Sequence, residues 1–143
     1  IFFPHRHDWN GTHIGVHFLL LQALRQLGDS LRPFICETEF WGQMQSPNLA
    51  IESSAKELGD LINALAYHVG EVQRNPYHLS LPAWMIDNTR RGYELVGGQG
   101  KSGPSMQFAT LYRRGRWDGA NIVSDNEGAF LCSGDDPATL FTP

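Results

Sequence analysis

The chain has 143 residues, 41% hydrophobic and 18% charged, with a formal net charge of −4. That composition fits one globular domain or part of one. It excludes a membrane-spanning helix, because the longest apolar run, residues 16–24, is broken by His17 and Gln22 and falls short of the ~20 residues a span needs. The acidic balance leaves no electrostatic footprint for nucleic acid. The one basic cluster, Arg113, Arg114 and Arg116, reads as solvated surface.

In chain order, Ile1, Phe2 and Phe3 read as the end of a buried strand. The sequence opens with Ile in the middle of that strand, so an N-terminal portion is expected upstream. A polar decapeptide follows, Pro4-His5-Arg6-His7-Asp8-Trp9-Asn10-Gly11-Thr12-His13, holding three of the six histidines. Asn10 or Thr12 can cap the helix predicted over residues 12–27. That helix is apolar nearly all round, from Ile14 to Leu27, so it is expected to be covered on several sides. Gly28-Asp29 ends it.

Residues 33–40 read as a second strand, with Glu37 and Glu39 toward its end, and residues 41–48 as a loop. Ser54 to Glu57 forms a capping box. It opens a helix whose stripe, Leu58, Leu61, Ile62, Leu65, Val69 and Val72, runs to a stop at Asn75-Pro76. Pro82 suits the first turn of another helix, over residues 82–95. Residues 97–104 are a Gly-rich loop without the Gly-Lys-Ser/Thr of a phosphate-binding loop. Residues 108–112 form a short strand. Residues 118–143 read as an irregular polar tail. In that tail Asp135-Asp136 follows Ser133-Gly134 without a histidine and reads as solvated loop. Strands alternating with helices argue for an α/β layered fold. Too few strands are visible for a complete doubly wound sheet, so an incomplete domain lacking its N-terminal strands is expected.

The chemistry concentrates between a strand end and a helix start, where ligands and metals collect in α/β proteins. His13, in the first helical turn, can bind a metal or merely cap and pack. His17 makes a His-x-x-x-His pair with it, but Ile14 stands where a zinc protease needs Glu, so His17 reads as a core histidine. Asp8 and Asn10 can form the turn, orient a ligand or stabilise an oxyanion. His5 and His7 alternate, and one of them can line the site. Cys36 and Cys132 lie far apart. A reduced, cytoplasmic protein with two ordinary thiols is expected, a single disulfide in an exported protein being the alternative.

Asp8-Trp9-Asn10-Gly11-Thr12-His13 resembles, without a gap, the Asp-Tyr-His-Pro-Asp-His metal motif of the PIG-L/LmbE-like family of zinc-dependent N-deacetylases. Phe34-Ile35-Cys36-Glu37 with Phe40-Trp41 is similar to that family's strand ending in Glu near the substrate. Pro47-Asn48 and Ala64-Leu65-Ala66-Tyr67-His68 are similar to its Ala-Leu-x-x-His helix, with Gly70-Glu71 in place of Ser-Gln. Phe108 to Tyr112 is similar to its closing Tyr-Ala-Glu-Ala-Phe. The likeness covers about residues 1–117.

The resemblance implies a Rossmann-like hydrolase that uses Zn²⁺ to remove an N-acyl group from an amino sugar or related amide. It implies His13 as a zinc ligand and Asn10 at the position of the histidine that supports the tetrahedral intermediate, helped by His7. It implies Asp8 as an orienting group, and Glu37 and Trp41 at the sugar. Asn10 and Thr12 depart from the family's His and Asp. The family's His-Pro-Asp-Asp motif, which supplies the other two zinc ligands and the base, does not occur here and is expected upstream. Two alternatives stand beside this reading. One is a non-catalytic sugar-binding or regulatory domain of the same fold. The other is an unrelated metallohydrolase built on His5, His7, His13 and Asp8 alone. A serine hydrolase is disfavoured because no Gly-x-Ser-x-Gly elbow occurs.

Overall fold

In a computed structural model describing residues 1–141, strand β1 (Phe2–Pro4) feeds helix α1 (Gly11–Leu27). Asn10 is the N-cap of α1, its side-chain Oδ1 accepting the Thr12 N–H at 2.8 Å. Gly28, at φ +58°, ends the helix in a conformation that L side chains rarely adopt. Strand β2 (Phe34–Thr38) pairs in parallel with β1. Strand β3 (Leu49–Ser53) leads into helix α2 (Ala55–Ala66), whose Ser54–Glu57 capping box closes as expected.

The long helix expected after Ser54 is instead two pieces. After α2 the chain breaks at Tyr67 and His68, and α3 (Val69–Arg74) follows. The apolar stripe continues through the break, but Leu61 and Val69 are exposed, so no burial holds one helix straight across it. Helix α4 (Tyr77–Leu95) starts a turn and a half earlier than expected, and Pro82 lies inside it.

Strand β4 (Phe108–Trp117) is twice the expected length because it is the hub of the sheet. It pairs antiparallel with β2, β3 and, at its far end, β5 (Ile122–Ser124). Strand β6 (Ala129–Leu131) adds in parallel to β3, giving a mixed sheet in the order β1-β2-β4-β3-β6. The tail expected to be irregular thus supplies two strands, although its last two residues lie outside those described. The strands β3, β5 and β6 are too short to carry a visible period.

Side-chain alternation sorts the sheet's faces. Ile35, Glu37, Leu111, Arg113 and Trp117 share the face covered by α1 and α4. Phe3, Leu24, Ile35 and Trp117 pack there under α1, and Ala50, Val96 and Leu111 under the end of α4. The opposite face holds Leu49, Tyr112 and Leu131, covered by Leu140 and Phe141 of the tail. Helix α1 is covered on one side only by this chain. Leu24 and His17 are buried, whereas Val16, Phe18, Leu19 and Leu27 are exposed, against the expectation of burial on several sides. No helix among the described residues is long and apolar enough to cross a membrane.

Candidate functional site

The decapeptide descends from β1 to α1 and is pinned from below by buried side chains. His5, 1% exposed, donates from Nε2 to the Gly42 carbonyl at 2.8 Å. Gly42 is required there by proximity: a Cβ would lie 2.8 Å from the His7 carbonyl oxygen and 2.9 Å from Asp8 Cα. The loop after β2 is therefore pressed against the decapeptide.

Asp8 is the centre of this arrangement. Its Oδ1 accepts the Asn10 N–H at 2.8 Å and its Oδ2 the Trp41 N–H at 3.2 Å. Oδ2 also lies 3.3 Å from His13 Nδ1, a contact too poorly aligned to satisfy that buried nitrogen fully. Burial works against the Asp8 charge, but the Asn10 and Trp41 N–H groups and the adjacent His13 ring outweigh it and hold the carboxyl below its ordinary range. The His13 ring is a quarter exposed and meets the Phe40 ring edge-on, with centroids 5.0 Å apart. A carboxylate facing one ring nitrogen while the ring stays partly open is the arrangement that orients a metal-ligating histidine.

The expected residues fall into two groups on either side of the decapeptide. Asp8, Asn10, His13 and Trp41 lie together, with Trp41 half-exposed and edge-on to Tyr77. His7 and Glu37 lie instead on a cavity of about 430 Å³ on the α1 face, which His17 also lines. Glu37 is buried and ion-paired: Arg113 Nε donates to its Oε2 at 2.6 Å, and His17 Nδ1 stands 3.6 Å from Oε1. His17 is a core histidine, donating Nδ1–H to the Pro4 carbonyl at 3.1 Å. Burial is the main cause that pushes its pKa down, so the ring is neutral near pH 7. Exposed Thr12 offers no carboxylate to His13.

The expectation of a solvated arginine cluster is corrected. Arg113 is paired with Glu37, Arg114 with Asp125, and Arg116 lies over the Phe34 ring at 4.0 Å. All three sit on β4, whose central place in the sheet brings acceptors within reach. Asp135 and Asp136 are exposed, as expected, and serve local turns.

One network escaped the sequence. Arg91 on α4 and Glu39 beyond β2 form a buried ion pair, 7% and 2% exposed at their side chains. Arg91 Nη2 also holds the Met44 carbonyl at 2.9 Å, so the pair fixes the loop that carries Trp41 and Gly42. The available signal was Glu37-x-Glu39: two carboxylates on one inward strand face need buried cations opposite.

Among the described residues, no group of three or more His, Cys, Asp or Glu side chains is placed to hold a metal ion. His13 backed by Asp8 fits one leg of a zinc site, not a whole shell. No protein-family model, curated protein or solved structure matches the chain.

Proposed function

We propose that this chain supplies part of the active site of a zinc-dependent N-deacetylase acting on an amino sugar or related amide. The carrying observation is the Asp8–His13 pair: a charged, pinned carboxylate 3.3 Å from Nδ1 of a partly open imidazole. With Nδ1–H turned to Asp8, Nε2 is the nitrogen left to bind a metal. A zinc ion held there would polarise the acyl carbonyl and acidify water.

The other residues take roles that suit their contacts. Asn10 spends Oδ1 on the helix cap, while its Nδ2 makes no hydrogen bond among the described residues and can donate to a developing oxyanion. His7 accepts from Arg6 Nε at 2.8 Å through its own Nε2 and lies on the cavity across the decapeptide from His13, so the oxyanion role falls to Asn10 alone. Phe40 and Trp41, both exposed, offer aromatic surface to a sugar ring. Glu37, ion-paired to Arg113, lines that same cavity and lies away from the His13 side.

The remaining ligands and the aspartate base belong, in this reading, to polypeptide preceding Ile1. That polypeptide would complete a Rossmann-like domain whose part here is residues 1–117, with residues 118–143 a tail. Two observations support it. Strand β1 has one free edge, and Val16, Phe18, Leu19 and Leu27 leave an apolar strip of α1 uncovered. Free thiols at Cys36 and Cys132 suit a reducing, cytoplasmic compartment.

A second reading, a sugar-binding or regulatory domain without catalysis, is favoured by one observation: Asn10 already serves as the helix cap that α1 needs. Asn10→Asp separates the two, because it keeps the cap and removes the amide donor. In the full-length gene product, release of free amine from N-acetylated amino sugars is expected, with kcat in Asn10→Asp lower by about 10²–10³. Absence of amine release from any such substrate would overturn the deacetylase reading. Undiminished turnover in Asn10→Asp would remove Asn10 from the chemistry.

A further inference from the structure

The cavity on the α1 face has a composition that the deacetylase reading does not explain. It lies between the decapeptide, α1, β2 and the β4–β5 end of the sheet, and neither Asp8 nor His13 lines it. Three arginines do: Arg6, Arg25 and Arg113. Glu37 is its one carboxylate, and Arg113 already neutralises it at 2.6 Å. Arg6 and Arg25 therefore leave an excess of two positive charges in a chain whose net charge is −4.

The uncharged lining adds further polar groups. His7 lines the cavity with its Nε2 occupied by Arg6, which leaves Nδ1 as the ring nitrogen free to carry a proton. Ser124 adds a hydroxyl. Trp117, 1% exposed, lines the cavity, and its indole N–H is buried with no acceptor among the described residues. Asn121 and Ser124 can donate or accept, so the uncompensated arginines decide the sign, and that selects an anion. Forked guanidiniums match phosphate oxygens in pairs. A volume near 430 Å³ holds more than a bare ion and is of the size that takes a small organic ligand.

We propose that this cavity is a binding site for a phosphate group carried by a soluble metabolite or a lipid headgroup, gripped by Arg6 and Arg25 and lined by His7, Ser124 and Trp117. The site stands on its own lining and does not rest on the metal reading.

The test is an NMR titration of the intact chain with inorganic phosphate and with glucose 6-phosphate, matched for ionic strength with chloride. Saturable shifts of the Trp117 indole N–H and of the Arg6 and Arg25 side-chain resonances are expected. Both arginine side chains belong to exposed residues, so Arg6→Gln and Arg25→Gln should fold. Each should weaken binding by about tenfold, one charged hydrogen bond's worth. Flotation with vesicles carrying phosphatidylinositol 4-phosphate identifies the source of the phosphate. Arginine-dependent flotation assigns a lipid headgroup, and its absence alongside soluble binding assigns a free metabolite. No saturable shift with either soluble probe and no flotation would overturn the proposal. So would binding left unchanged when Arg6→Gln and Arg25→Gln are combined in one chain.

Discussion

Replacing Arg91 by Met tests the buried network that holds the site's loop. Arg91 Nη1 donates to both Glu39 oxygens, at 2.8 and 3.0 Å, and to Asn88 Oδ1 at 3.1 Å, while Nη2 donates to the Met44 carbonyl. Without Arg91, Glu39 keeps a single hydrogen bond, from the Met44 N–H at 2.9 Å, for a carboxylate 2% exposed. Leaving one member of a buried pair uncompensated costs about 3–5 kcal/mol. Total stability for such a domain is about 5–15 kcal/mol, so the variant is expected to lose a large share of it. Urea unfolding followed by tryptophan fluorescence reads the change as a lower midpoint at unchanged slope. Removing both charges, as Arg91→Met with Glu39→Met, should recover most of the loss, because apolar replacement of a buried pair is often close to neutral. A single-variant loss below about 1 kcal/mol, or a double variant no better than the single, would refute the reasoning.

Two further outcomes follow from the same geometry. Gly42→Ala forces a Cβ within 3 Å of the His7 carbonyl and Asp8 Cα, and overpacking of that kind costs about 1–3 kcal/mol; an unchanged unfolding midpoint would contradict the close approach. Stability should also fall with pH in two windows. The lowered His17 pKa means the unfolded chain takes up the proton first, so stability present at pH 7 is lost as pH falls from about 6.5 toward the folded value. The lowered Asp8 pKa contributes stability above about pH 4 that disappears as pH falls through its folded value. Urea midpoints at pH 7, 5 and 3 check both, and His17→Gln should shrink the first decline.

The local signals in the sequence carry through. The Asn10 cap, the Gly28 stop, the Ser54–Glu57 box and the strand at Phe34 each depend on neighbours within a few residues. The misses depend on distant partners. Strand β3 is five residues long and adjoins a capping box, so it shows no period of its own and exists because β4 and β6 flank it. Helix α4 extends past Pro82 toward its start, where packing of Leu81 and Trp84 around Met85 and Leu58 supports the extra turn. The Arg91–Glu39 pair joins residues 52 positions apart, and no spacing rule reaches that far. At the site, the decapeptide is legible as a cluster of donors. Its division into an Asp8–His13 side and a His7–Glu37 side is set by the α1 axis and the β4 register, which only the assembled sheet defines.

The most direct measurement is the zinc content of the purified full-length gene product, by elemental mass spectrometry, for wild type and His13→Ala. About one tightly held zinc per chain in the wild type, lost in His13→Ala while Asn10→Asp retains it, is the expected result. Zinc retained in full by His13→Ala, or none in the wild type after growth in zinc, would contradict a metal-binding role for His13.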